Sequence, residues 1–309
     1  MKRLLKILLT LSIFAAGCQS GEQTTPVTGP TAGKFPVVVE AQNGNITITK
    51  RPIRIISLSS TATEILFAVK AGSQVVAVDD QSNYPESVPK TDLSGFTPNV
   101  EAIASYKPDL VVHSSESGDL TKSLESLNIP VIVQPAAKGL EDTYEQIKQL
   151  GSATGHVDVA AQVVGDMKAS VRRILAGAPK FDKALTYYHE LDNTFFTATS
   201  KTFIGEIYGL LGLKNIADSA DKDAGGYPQL SAEFIIQANP DLIFLADTKY
   251  SKESAETVAK RPGWDKINAV SNGGVVAVDD DVASRWGPRV VDFLSVVSEA
   301  LTAAKAKAA

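Results

Sequence analysis

Between positions 157 and 177 the apolar residues fall three and four apart, at Ala160, Val163, Val164, Met167, Val171, Ile174 and Leu175. The intervening positions carry Asp158, Gln162, Asp166, Lys168, Arg172 and Arg173. This spacing predicts an amphipathic helix over Val157 to Gly177, with Gly155 before it and Gly177 and Pro179 stopping it. At ~1.5 Å per residue it would run for roughly 30 Å. Taken alone, the pattern describes an ordinary surface helix.

Shorter patterns lie on both sides. Phe35 to Ile48 alternates around Asn43-Gly44-Asn45, which predicts a β-hairpin. Arg54 to Leu58, Val75 to Val78, Leu110 to Val112 and Pro130 to Val133 are short apolar runs of the buried-strand type. Thr61 and Glu64 have capping-box spacing and predict a helix over Ile65 to Val69. Beyond the long helix, Leu185 to Tyr188, Leu242 to Leu245 and Val275 to Val278 read as strands, and Ile204 to Leu211 and Val290 to Ala304 as helices. Strands that alternate with helices argue for parallel sheets with helices on both faces, an α/β fold.

A repeat gives the long helix its place. Asn99-Val-Glu101-Ala-Ile103 precedes Lys107-Pro-Asp-Leu-Val111, and Ser231-Ala-Glu233-Phe-Ile235 precedes Asn239-Pro-Asp-Leu-Ile243. Glu stands seven residues before Pro in both. The expected organisation is two related Rossmann-like lobes, residues 36–150 and 180–309, joined by one helical segment, 151–179. Roughly 270 residues are enough for two lobes, each with its own core.

The chain begins with Lys2, Arg3 and Lys6 and an apolar run from Leu4 to Phe14, too short to span a bilayer as a mature helix. Residues 1–17 are expected to be an export signal. Ala15-Ala16-Gly17-Cys18 resembles a lipobox, with Ala15 where Leu is usual. Cys18 is the sole cysteine, so it cannot form an internal disulfide; lipidation gives it a role, while a plain secreted protein cut nearby is the other reading. Residues 18–35, rich in Thr, Gly, Pro and Gln, read as a flexible tether. Losing the three basic residues makes the formal charge of −5 more negative still, which argues against nucleic acid as a partner.

The chemistry of catalysis is sparse. No Gly-x-Ser-x-Gly, Gly-x-x-x-x-Gly-Lys, Gly-x-Gly-x-x-Gly or His-Glu-x-x-His motif occurs, and a cysteine nucleophile is ruled out by the position of Cys18. His113 and His189 follow apparent strands and would reach a cleft at strand ends or serve as ordinary polar residues; His156 reads as a surface or capping residue. Open α/β sheets bind ligands at the carboxyl ends of their strands. The residues there are Ser59, Ser60 and Thr61; Asn83, Tyr84 and Pro85; Gly95 and Phe96; and Ser114 to Glu116. In the second half they are Glu190 to Phe196, Tyr227 and Pro228, Asp247 and Thr248, and Asp281 to Trp286. Aromatic rings, hydroxyls and one Asp/Arg group suit a large ligand with flat apolar surface and polar edges. On a helical turn Asp281 and Arg285 would form a routine ion pair; in a loop beside Trp286 they would present an acceptor and a fork of donors to a ligand.

At this point the chain resembles a family: the substrate-binding proteins of bacterial ABC importers for vitamin B12, ferric siderophores and haem. The matching stretches are Arg54-Ile-Ile-Ser-Leu-Ser59, Thr63-Glu-Ile-Leu66, Tyr84-Pro85, the two repeated segments, Tyr227-Pro-Gln-Leu-Ser-Ala-Glu233 and Ser284-Arg-Trp-Gly-Pro-Arg289. The resemblance implies two α/β lobes joined by a long helix, no enzymatic activity and no cofactor; a stiff helical linker would in turn limit lobe closure on binding. It implies that Glu101 and Glu233 dock into arginines of a permease, which works with an ATPase. Together with the lipobox-like segment, which points to lipid on Cys18, this places the protein at the extracytoplasmic face of the cell membrane. The ligand would be held by Ser60, Thr61, Tyr84, Phe96, Phe196, Tyr227, Asp281, Arg285 and Trp286, with Tyr227 where a Trp is common. A corrinoid is the first expectation, then a ferric siderophore, then haem with an axial His or Tyr. A chelatase or metal-cofactor enzyme of similar plan would need an acid/base or metal cluster, which these residues do not assemble.

Overall fold

The computed structural model describes residues 34–115, 119–222 and 225–308. The expected signal, Cys18 and the tether up to residue 33 lie outside them, as does Glu116.

The chain opens with the hairpin β1 (Val37–Ala41) and β2 (Gly44–Ile48). Its turn is Gln42-Asn43, one step earlier than the sequence pattern places it, since Ala41 pairs with Gly44. The turn has a task. Asn43 donates to Val131 O and accepts from Val133 N, and Gln42 N bonds Val133 O, so the hairpin covers an edge that would otherwise offer unpaired backbone.

The first lobe continues with β3 (Ile55–Leu58), α1 (Ser60–Ala68), β4 (Val75–Val78), α2 (Val100–Ser105), β5 (Leu110–His113), α3 (Leu120–Ser126) and β6 (Val131–Val133). Helices α4 (Leu140–Thr154) and α5 (Val157–Gly177) follow. The second lobe comprises β7 (Thr186–Glu190), α6 (Phe203–Leu210), β8 (Lys214–Asn215), α7 (Ala232–Ala238), β9 (Leu242–Leu245), α8 (Ala255–Ala259), α9 (Asn268–Ser271), β10 (Val275–Ala277), α10 (Asp280–Ser284) and α11 (Val290–Ala308).

The sheets run β4-β3-β5-β6 and β8-β7-β9-β10, with parallel pairing throughout. Numbered within each lobe, both read second, first, third, fourth. The repeat seen in the sequence is therefore a repeat of topology. In each lobe the chain leaves the first and third strands in opposite directions across the sheet, which opens a crevice at their carboxyl ends.

Strand side chains alternate between two cores. Ile56, Leu58, Val111 and Val131 face one core of the first lobe; Tyr188, Ile243 and Leu245 face its counterpart in the second. The other faces meet in a single cluster. Ile55, Leu110, Val112, Tyr187, Leu242 and Phe244 are joined there by α4, α5, α6 and α11. Each lobe thus has a core of its own, and a third cluster, formed by the inner sheet faces and the apolar stripes of the helices, is shared between them. Helix α5 has the predicted bounds and buries Val159, Ala160, Val164, Met167 and Val171. It packs on α4 from one side and α11 from the other. Residues 151–154, expected in the connecting segment, are the last turn of α4, which stops at Gly155 in the left-handed conformation (φ 78°).

Helix α1 starts earlier than expected. Its cap is Ser59, whose Oγ accepts from Ala62 N, so Thr61 lies in the first turn and Glu64 is released from capping.

Candidate functional site

The carboxyl ends of both sheets face one cleft of ≈600 Å³. Tight turns place its walls. The step from β3 straight into α1 presents Ser59, Ser60 and Thr61; the segment after β4 presents Asp79 and Gln81; and the loop before α2 presents Gly95 and Phe96. The second lobe contributes Leu191 after β7, Ala246 and Tyr250 after β9, and Asp280, Asp281, Ser284, Arg285 and Trp286 from α10 and its end. Six of the residues singled out in the sequence therefore share this wall: Ser60, Thr61, Phe96, Asp281, Arg285 and Trp286. Phe96 is 83% exposed, an apolar ring held in solvent at the wall of a cleft.

Tyr84, Phe196 and Tyr227 are not part of the wall. Tyr84 lies beneath the Arg289 guanidinium, 4.2 Å from ring centroid to Cζ. Phe196 bridges to Gln229, and Tyr227 belongs to the same segment, which bonds back through Pro228 O to Thr197 N and through Gly226 O to Thr199 N. All three rings are exposed.

Asp281 is not in a loop, as the ligand-facing reading required. It stands in α10, with Arg285 as the cap, and the two pair at 2.7 Å. Arg285 Nη1 also donates to Glu64 Oε1 and Asn83 Oδ1, both at 2.8 Å, and Nη2 to Gln81 O at 3.1 Å. The Arg285 fork is thus engaged within the protein. Burial works against ionisation of Asp281, yet hydrogen bonds from Lys249 and Asn83 and the nearby Arg285 charge outweigh it and hold its carboxyl below the usual range.

Glu64, Asp79, Asp280 and Tyr250 were not singled out from the sequence. Glu64 was hidden by its capping-box spacing. Asp79 accepts from Ser82, and burial pushes its pKa up. Asp280 takes Thr248 N and Oγ1, Lys249 N and Tyr250 N, and so ties the loop that carries Tyr250 to the cleft. Tyr250 sits three residues past Asp247 in a strand-end loop already marked, and that position was the available signal.

All three histidines have partners within the protein. His113 has ring nitrogens on Ser115 O and, at 3.0 Å, on Gly95 O, joining two loops of the wall. His189 does not reach the cleft: it is fully buried, with Nδ1 on Tyr208 Oη at 2.7 Å, and burial pushes its pKa down to about 3. His156 lies against Arg51 and Gln74. Beside the cleft, Asp247 is 2% exposed and neither carboxylate oxygen has a hydrogen-bond partner. Burial, and then the charges of Glu190, Glu253 and Asp280 against Arg261, push its pKa up to about 7. Among the described residues no group of three or more His, Cys, Asp or Glu has the geometry to hold a metal ion.

Glu101 and Glu233 are both exposed in the first turns of α2 and α7, helices at equivalent places in the two lobes. Asn99 and Ser231 cap those helices, accepting from Ala102 N and Phe234 N.

The family profile described as "Periplasmic binding protein" matches residues 55–282. The chain is 33% identical over 305 residues to an uncharacterized ABC transporter substrate-binding lipoprotein, YvrC, of Bacillus subtilis, covering 95% of each. It is 30% identical over 279 residues to a cobalamin-binding protein of Halobacterium salinarum, covering 87% of this chain and 75% of that one. A solved structure from Staphylococcus epidermidis, described as a possible iron-binding (periplasmic solute-binding) protein, superposes with TM-score 0.69 at 32% identity, over 81% of this chain and 99% of the other. Two parallel-sheet lobes with a ligand-sized cleft at their facing strand ends, and a profile matched across both, place this chain in the periplasmic binding protein family, as a non-enzymatic substrate-binding component of ABC transport.

Proposed function

We propose that this chain captures a corrinoid between its lobes and delivers it to the permease of an ABC importer, held at the extracytoplasmic membrane face by lipid on Cys18. The observation that carries the ligand class is the charge of the cleft. Its wall contains three carboxylates, Asp79, Asp280 and Asp281, against one guanidinium, Arg285, whose donors are already engaged, and the Lys249 ammonium behind the wall, 2.8 Å from Asp281, so the balance of these groups stays negative by one. Such a site repels the carboxylates of haem and the anionic charge of catecholate iron chelates. It tolerates a neutral or cationic chelate. A corrinoid offers a flat apolar face to Phe96, Trp286 and Tyr250 and a rim of neutral amides to Ser60, Thr61 and the acidic groups. A cleft of ≈600 Å³ is within the range of small-molecule sites, and a corrinoid seated there would be gripped on one side and open to solvent on the other. The relative named as cobalamin-binding supports this order.

An uncharged or cationic ferric hydroxamate meets the same electrostatic demand and is the second reading; the structural relative described as possibly iron-binding favours it. Haem is placed last. His113 and His189 are engaged or buried, which leaves Tyr250, 72% exposed, as the oxygen donor at the wall.

The test is a fluorescence titration of the form that begins after Cys18. Trp286 stands in the wall and reports occupancy, while Trp264 is buried in the second lobe and serves as the internal reference. Saturable submicromolar quenching by cyanocobalamin alone is expected. Binding of a ferric hydroxamate but not of cyanocobalamin would select the second reading. Tight binding of haem or a ferric catecholate would overturn the electrostatic argument itself.

A further inference from the structure

Helix α5 is one covalent crossing between the lobes. A second, non-covalent crossing lies at the floor of the cleft, and Glu64 is its centre. Glu64 belongs to α1 of the first lobe and is 3% exposed. Its carboxylate accepts Arg285 Nη1 at 2.8 Å, Arg289 Nε at 2.9 Å and Arg289 Nη2 at 2.5 Å, all from the second lobe. Around it, Arg285 reaches Gln81 O and Asn83 Oδ1, and Asn83 Nδ2 returns to Asp281 Oδ2 at 3.1 Å. Trp286 Nε1 donates to Gln146 Oε1 on α4 at 3.0 Å. Bending the lobes apart about α5 would pull two guanidinium groups off one nearly dry carboxylate.

We propose that Glu64 is a positioning residue that sets the spacing of the two lobes, acting through Arg285 and Arg289 as a latch opposite α5. A buried ion pair often adds little net stability over an apolar replacement, but its directional hydrogen bonds fix geometry and register. The shape of the cleft is consequently built into the ligand-free protein. Arg285 is held by its partners from the first lobe, and Trp286 beside it is oriented by Gln146. The chemistry assigned to Glu64 does not depend on which chelate the cleft takes.

The sole cysteine is Cys18, so the form beginning after it accepts paired spin labels at introduced cysteines without background. Lys122→Cys in the first lobe and Lys260→Cys in the second are both exposed sites. Dipolar electron resonance would then give the interlobe distance distribution without ligand. A narrow distribution is expected for the parent protein and a clearly broader or longer one for Glu64→Gln, which keeps volume but loses charge. Glu101→Gln, an exposed carboxylate of the same lobe, is the control and should leave it narrow. A local structural role alone would lower the melting temperature of Glu64→Gln without changing the distribution, and that result overturns the proposal. Should Glu64→Gln not accumulate as folded protein, Arg289→Gln carries the same test, since it removes two of the three donors on Glu64. A parent-like distribution there is equally fatal. If the titrations find a ligand, Glu64→Gln should weaken it by about tenfold or more through lost preorganisation; failure to find a ligand leaves the distance measurement unaffected.

Discussion

Arg261 forks onto Glu190 inside the second lobe, Nη1 to Oε2 at 2.7 Å and Nη2 to Oε1 at 2.6 Å, with Glu190 fully buried at the end of β7. The same guanidinium reaches Glu253 at 2.9 Å and lies 4.6 Å from the Trp264 ring centroid. One cation thus holds two carboxylates from different elements beside the cleft. Arg261→Met should destabilise the protein by about 3–5 kcal/mol, because it leaves the dry Glu190 carboxyl without the donors that pair it. Adding Glu190→Gln should recover much of the loss. Denaturant unfolding of the single and double variants checks both, and a loss under about 1 kcal/mol for the single variant would contradict the assignment.

Asp247 shares that neighbourhood without a hydrogen bond to the cation. Its folded pKa is raised from the ordinary aspartate range to about 7, chiefly by burial and then by Glu190. The folded state therefore binds a proton more tightly than the unfolded chain. Stability linked to this group is complete below the unfolded value and is lost as pH rises through about 7. Glu190, also raised by burial, contributes in the same direction. Asp247→Asn should flatten the fall in melting temperature between about pH 5 and about pH 8.5, with the variant gaining most at the alkaline end. A variant whose profile parallels the parent's throughout would show that Asp247 is not the group responsible.

Helices α4 and α5 cross at Gly151, where a Cβ would come within 2.3 Å of the Ala160 Cβ. Two effects oppose each other in Gly151→Ala. Helix propensity favours Ala by about 1 kcal/mol, and overpacking a close crossing costs about 1–3 kcal/mol. The contact is far shorter than any real one, so overpacking should win and the melting temperature should fall. A rise would mean that the two helices part without cost.

Glu101 and Glu233 present two exposed carboxylates at equivalent places in the two lobes. A permease with two-fold symmetry and arginines at its receiving face would engage both, through paired hydrogen bonds. Glu101→Ala with Glu233→Ala should leave chelate affinity unchanged and abolish uptake into cells. Full uptake by the double variant would remove docking from these residues.

Local information was enough for much of this molecule. The apolar period of Val157 to Gly177 specified a helix with its ends correct, because spacing, stop residues and solvent face all lie within one segment. The repeated Glu–Pro–Asp segments specified two like lobes, because each encodes a capped helix leading into a buried strand, and the short Val- and Leu-rich runs read as strands of a parallel sheet covered on both faces. The loops at strand ends brought Ser60, Thr61, Phe96, Asp281, Arg285 and Trp286 into view, since a parallel sheet puts all its carboxyl ends on one side. What remained hidden was pairing across distance. Glu64 and Arg285 are 221 residues apart, and nothing near Glu64 distinguishes a cap from a latch. At a strand's end His189 could have reached the cleft or been an ordinary polar residue; the face on which it lies, against Tyr208 and Phe293, is decided by how α6 and α11 pack. The shared core of the two lobes has the same origin. Each amphipathic stripe announces that it must be buried, and only the assembled fold selects the surface that buries it.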